Sequence, residues 1–154
     1  MADNYLDTFE ARGDLYNEAS LINSRAREIE RRILIDLLRI EPHHAVCDAP
    51  AGGGYLDDGI LPLVRQPGQL VCVEPSKKFS HAINPSYVTH ISPLDHLPLP
   101  NNTLDRVGSL AGLHHLADKS LFFREACRVL KPGGLFAVGD VMEGTPVARF
   151  LNGP

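Results

Sequence analysis

The spacing of apolar and polar positions changes several times along this chain, and each change marks an element. Ile22, Ala26, Ile29, Ile33, Leu37 and Ile40 recur at intervals of three and four, which predicts an apolar stripe on a helix over about residues 20–38, stopped by Pro42. Upstream, Tyr5, Phe9, Leu15 and Tyr16 stand among polar residues without a clean period, so residues 1–19 are expected to form a flexible arm or lid. Downstream, short unbroken apolar runs replace the helical pattern. Ala45-Val46-Cys47 ends at Asp48, and Leu70-Val71-Cys72-Val73 ends at Glu74-Pro75. Runs apolar on both faces suit strands buried in a parallel sheet. Residues 87–91, 104–110 and 135–141 supply three more candidates. A short helical connection over residues 55–64 closes at Gln66-Pro67-Gly68. A later helix takes Asp118 as N-cap, Phe122, Ala126 and Val129 as its buried stripe, and Pro132-Gly133-Gly134 as its end.

Strands alternating with helices predict an α/β fold, a doubly wound parallel sheet with right-handed crossovers, expected as one domain over residues 1–154. Composition adds exclusions. Hydrophobic residues make up 44% and charged residues 22% of the chain, which argues against disorder. The formal charge is -4, and the longest charged run, RAREIERR at residues 25–32, mixes acids with its arginines as a solvated helix face does. No nucleic-acid partner is expected. The polar first residues and the lack of any run near ~18 apolar residues predict neither secretion nor a membrane span. Cys47, Cys72 and Cys127 are odd in number and lack CxxC spacing; they are expected to be buried reduced thiols of a cytoplasmic protein.

Ligands of such sheets bind beyond the carboxyl ends of the strands, where this chain places Asp48-Ala49-Pro50-Ala51-Gly52-Gly53-Gly54. Late-clustered glycines let a ligand approach the backbone. The spacing is not the GxGxxG that brings a helix terminus to a pyrophosphate, which weighs against a nicotinamide-dependent dehydrogenase. Asp48 suits the cationic sulfonium and amino-acid end of S-adenosylmethionine, and Glu74 suits the two ribose hydroxyls.

The runs VCDAPAGGGYL (residues 46–56), VCVEPS (71–76), LPLPNNTLDRVGSLAGLHHL (97–116) and RVLKPGG (128–134) together resemble the class I S-adenosylmethionine-dependent methyltransferases. The resemblance covers about residues 45–141 and implies their Rossmann-like methyltransferase fold with S-adenosylmethionine as cofactor. By the same resemblance, Asp48, Ala49, Pro50, Ala51, Gly52 and Gly54 line the methionine side and Glu74 holds the ribose. Pro75 and Ser76 border the adenosine, the backbone of Pro93 and Leu94 lies near adenine, and Leu110 and Ala111 flank the methionine. Two positions depart from the family pattern: Pro50 stands where many members have glycine, and Pro93 where an aspartate often meets the adenine amino group, with Asp95 two residues away as a substitute.

The resemblance further implies a seven-stranded sheet closed by an antiparallel hairpin, for which the residues after Val141 leave no room. The chain is therefore expected to lack that hairpin, either as part of a longer protein or with its edge completed by a second copy in a homodimer. No metal is expected, because neither His43-His44 nor His114-His115 has ligand spacing. His114-His115 is read as non-catalytic, since adjacent residues of an extended segment point apart; among Asp140, His114 and Tyr16 no general base is assigned. The function expected is methyl transfer to a small-molecule acceptor, with a non-catalytic binding module of the same fold as the alternative.

Overall fold

The computed structural model describes residues 5–22, 27–142 and 144–145. Five parallel strands form one sheet in the order β3-β2-β1-β4-β5, with β1 Val46–Asp48, β2 Leu70–Glu74, β3 Val88–Ile91, β4 Leu104–Leu110 and β5 Leu130–Gly139. The order reverses between β1 and β4, and β1 pairs in parallel with both β2 and β4: Val46 lies opposite Leu70 on one side and Arg106 on the other. That reversal opens a crevice at the carboxyl ends of the central strands. β1 is buried at all three positions, which is why its sequence reads as an uninterrupted apolar run closed by an acid.

One apolar layer joins β1, β2 and β4 to α4, Lys119–Val129, through Cys47, Val73, Val107, Phe122, Ala126 and Val129. Asp118 caps this helix by accepting from the Ser120 N–H at 2.8 Å. α4 ends at Val129, however, and Pro132-Gly133-Gly134 lies inside β5 beside a register shift opposite Leu104 and Arg106. Residues 130–134 thus extend the strand instead of the helix, because Leu130 already pairs with Leu104.

The second layer holds α2, Glu28–Leu38, and α3, Tyr55–Ile60, against the opposite face through Leu34, Leu38, Leu56, Ile60 and Cys72. Here the predicted helix has the right period and the wrong phase. Leu34 and Leu38 are buried, whereas Ile33 and Leu37 are 53% and 57% exposed and Ile29 is exposed as well. The segment EIERRILIDLL carries two apolar rows one residue apart, and the sheet takes the row containing Leu34 and Leu38, with Arg31 reaching over the Tyr55 ring at 4.1 Å. Ala26 of the predicted stripe lies outside the described residues.

The expected arm is instead helix α1, Tyr5–Ile22. Tyr5, Phe9 and Gly13 are buried and lie four residues apart, a helical row that the intervening polar residues disguise. Gly13 permits the contact: a Cβ there would lie 2.7 Å from the Phe79 backbone. Cys47 and Cys72 are buried as expected, but Cys127 is exposed, since α4 turns Ala126 rather than its neighbour toward the sheet. Among the described residues, no helix is long and apolar enough to cross a membrane.

Candidate functional site

A cavity of about 1320 Å³ opens at the strand-order reversal. Its wall includes Asp48, Pro50, Ala51 and Gly52 from the loop after β1, Leu110 and Ala111 after β4, and Asp140 after β5. Six predicted cofactor residues therefore meet on one cavity. Ala49, Gly54, Glu74, Pro75, Ser76, Pro93 and Leu94 are not in its wall. Leu94 is buried in the core with Leu97 and Phe122, and Pro93 is exposed.

The loop is shaped by its backbone. Ala49 N–H donates to the Gly108 carbonyl at 3.1 Å and Ala51 N–H to the Val73 carbonyl at 3.0 Å, which ties it to the neighbours of β1 on both sides. Gly52 has φ +55 and Gly54 φ +87, a region that residues with a Cβ seldom occupy. Gly54 begins α3. The opposite rim approaches so closely that a Cβ on Gly112 would collide with the Pro50 ring.

Glu74 is fully buried and closes the loop from the tip of β2. Its Oε2 accepts from the Gly52 N–H and the Tyr5 hydroxyl, each at 2.8 Å, and its Oε1 from the Ser76 N–H at 2.8 Å. Burial pushes Glu74 up to about 7, although those three donors pull the other way. Asp48 and Asp57 form a second buried acidic centre. Oδ1 of Asp48 and both carboxyl oxygens of Asp57 have no hydrogen-bond partner. Burial, reinforced by the Asp57 charge, holds Asp48 well above the usual carboxylate range, and burial lifts Asp57 to about 7. An unpaired carboxylate oxygen at the cavity wall is costly unless a cation or donor meets it. Asp57 was missed because its neighbour Asp58 is exposed and nothing in the local sequence separates the two.

The pair has a measurable consequence. Glu74 and Asp57 bind protons more tightly folded than unfolded, so between about pH 4 and pH 7 the native state holds the extra protons. Stability is then greatest at the acid end of that window and falls as pH rises through 7. Replacing Asp57 by the neutral isostere, Asp57→Asn, is expected to change stability more favourably at pH 8 than at pH 5, by on the order of 2 kcal/mol. Urea unfolding at the two pH values checks this; equal shifts at both would contradict it.

Beyond Ala111, the chain forms a 3-10 turn, Leu113–His115, not an extended segment. His114 and His115 both line the cavity, with ring centroids 4.0 Å apart, because the turn brings together adjacent side chains that an extended backbone would point apart. Asp140, at the end of β5, receives the Leu113 N–H at 2.7 Å and the His114 N–H at 3.1 Å on Oδ2. Its Oδ1 lies 2.7 Å from His114 Nδ1. Burial would raise Asp140, but the bonds from His114, Val141 and Leu113 outweigh it and hold the carboxyl below its usual value. An ionised carboxylate only accepts, so Nδ1 carries the proton and Nε2 is the basic nitrogen. No local signal links residues 114 and 140 in sequence.

Among the described residues, Glu41, His43 and His44 bring candidate ligand atoms within 4.8 Å of one another. His44 Nδ1 accepts from the Glu41 N–H at 2.9 Å, which leaves the neutral ring proton on Nε2 and no lone pair for a cation.

A family profile described as "Methyltransferase domain" matches residues 48–138. The ubiquinone/menaquinone biosynthesis C-methyltransferase UbiE of Cellvibrio japonicus is 28% identical over 137 residues, covering 83% of this chain and 54% of that protein. The chain thus spans about half the length of the curated relatives it matches over most of its own length. Among solved structures, an S-adenosylmethionine-dependent methyltransferase of Thermotoga maritima superposes with TM-score 0.77 at 21% identity, over 96% of this chain and 67% of that one. The geranyl diphosphate C-methyltransferase of Streptomyces coelicolor, solved with S-adenosyl-L-homocysteine, gives TM-score 0.66 at 17% identity, over 76% and 46%. These likenesses establish the α/β Rossmann-like architecture.

Proposed function

The chain belongs to the methyltransferase domain family, and from that premise we propose that it binds S-adenosylmethionine in the cavity at the strand-order reversal and directs methyl transfer to a small-molecule acceptor. The observation that carries the reading is the pairing of an orphaned buried carboxyl oxygen on Asp48 with a glycine bend that Glu74 closes from the next strand tip. These residues fit the cofactor: Asp48 offers a buried carboxyl whose ionisation a cationic amino-acid and sulfonium end favours, and Glu74 offers acceptors to a diol. The loop glycines keep side chains out of the space between them. When bound, the cofactor supplies an activated methyl group to a nucleophile.

The protein's share of the chemistry is alignment, exclusion of water and proton management. Pro50, Ala51, Leu110 and Ala111 present an apolar wall. His114 takes the proton from an acceptor whose attacking atom carries one. Asp140 orients the ring and stabilises the charge that forms on it, a role suited to its 2.7 Å contact with Nδ1 and. An acceptor bearing a hydroxyl or an acidic C–H matches this arrangement.

The test is calorimetry with S-adenosylmethionine, followed by an assay for S-adenosylhomocysteine release on presenting a metabolite mixture. Micromolar binding and acceptor-dependent release are expected. Binding without release from any mixture would favour a non-catalytic module, and no binding would end the reading.

A further inference from the structure

The bonding of Glu74 says more than that it can receive a nucleoside. A carboxylate offers about four lone-pair positions. Three are engaged by the Gly52 N–H, the Ser76 N–H and the Tyr5 hydroxyl. A vicinal diol needs two, so one of the three donors must withdraw. The two amides belong to the loop and strand tip that define the site. Tyr5 belongs to another element, 69 residues away in the chain.

We propose that Tyr5 sits in the place of one ribose hydroxyl on Glu74, so that α1 is a built-in competitor that must release Glu74 before a nucleoside is seated. The proposal rests on the reading of the cavity as an S-adenosylmethionine site. α1 is held mainly on the adenosine side of that site, and its Tyr5 and Phe9 rings also meet His115 edge-on at 5.9 and 5.3 Å. The Phe9 ring stacks on Phe79 at 4.5 Å, and the Phe79 ring lies where a Cβ on Gly52 would meet it at 2.9 Å. Glu10 accepts from the Ser76 hydroxyl at 3.0 Å, and Asn17 donates to the Phe79 carbonyl at 3.1 Å. Ser76 and Glu74 are buried beneath this helix. On its outer side Asp14 faces Lys78 and His81 at 3.6 and 3.7 Å, solvent-exposed contacts that are weak fastenings. A helix held by one buried hydrogen bond, a small aromatic cluster and part-buried polar contacts, and packed chiefly on the Phe79–Ala82 turn, is suited to detach without unfolding the sheet.

Tyr5→Phe isolates the competing bond, because it keeps the ring against Phe9 and removes only the hydroxyl. Calorimetry with S-adenosylhomocysteine on the full chain is expected to show about fivefold tighter binding by the variant, the value of one ordinary hydrogen bond. In wild-type protein with ring-labelled tyrosine, the Tyr5 resonance, assigned by its loss in the variant, is expected to move on saturation with the same compound. Equal or weaker binding by a folded variant, or an unmoved Tyr5 resonance at saturation, would overturn the proposal. Failure of both proteins to bind at all would instead sink the nucleoside reading and the gate with it, an outcome distinct from equal binding by two competent proteins.

Discussion

Turnover is expected to fall by roughly 10²- to 10⁴-fold in His114→Ala, the range that a positioned proton acceptor contributes, while affinity for S-adenosylhomocysteine stays within about twofold. The split follows from geometry. His114 lines the cavity but takes no part in the loop bonds around Glu74 and Gly52, so its loss should spare cofactor binding and strike proton transfer. Added imidazole should restore part of the activity by entering the space left by the ring. Asp140→Asn is expected to lower the rate as well, because an amide can donate to Nδ1 and so reverse the tautomer. It also sacrifices charge toward the Leu113 and His114 amides, so the comparison requires matched melting curves. Steady-state kinetics on the two proteins, with unchanged rate in His114→Ala as the refuting result, decides the assignment.

Glu74→Gln is expected to weaken S-adenosylhomocysteine binding by about 2 kcal/mol, roughly thirtyfold. The amide keeps only one acceptor oxygen, so its NH₂ faces either the Ser76 N–H on one side or the Gly52 N–H and the Tyr5 hydroxyl on the other, and half of the acceptor set for a diol is lost. The pH dependence sharpens the test. With its carboxyl raised to about 7 by burial, wild-type Glu74 gains acceptor strength as pH climbs through that value, so affinity should increase from pH 6 to pH 8. Glu74→Gln should lose that contribution, although Asp48 leaves a residual dependence. Calorimetry across the range measures both effects; an undiminished affinity at pH 8 would remove Glu74 from the site.

The parts of the site visible in sequence are those whose chemistry is local. Asp48 and Glu74 each end an apolar run, and the glycines follow Asp48 directly, so strand, acid and bend could be read within a few residues. The parts that escaped depend on contacts across long separations. Tyr5 reaches Glu74 over 69 residues, and His114 reaches Asp140 over 26; neither partner has a pattern that names the other. α1 was obscured because only Tyr5, Phe9 and Gly13 of its row are buried while most of its remaining side chains face water. For α2 the local signal was ambiguous: two adjacent rows are apolar, and only packing on β4 and β5 chooses between them and. His114 and His115 share the cavity because the backbone bends there in a 3-10 turn, which the local run Leu113-His114-His115-Leu116 does not distinguish from an extended segment.

The unequal exposure of the three cysteine thiols equips this chain with a chemical clock. An alkylating reagent meets Cys127 at once on the outer side of α4, whereas Cys47 and Cys72 are sealed within the sheet. Uptake of one label therefore leaves the folded molecule intact, and uptake of the second and third counts excursions in which strands separate. Detachment of α1 alone would not advance the count, so the rates of local release and global opening can be timed on the same sample.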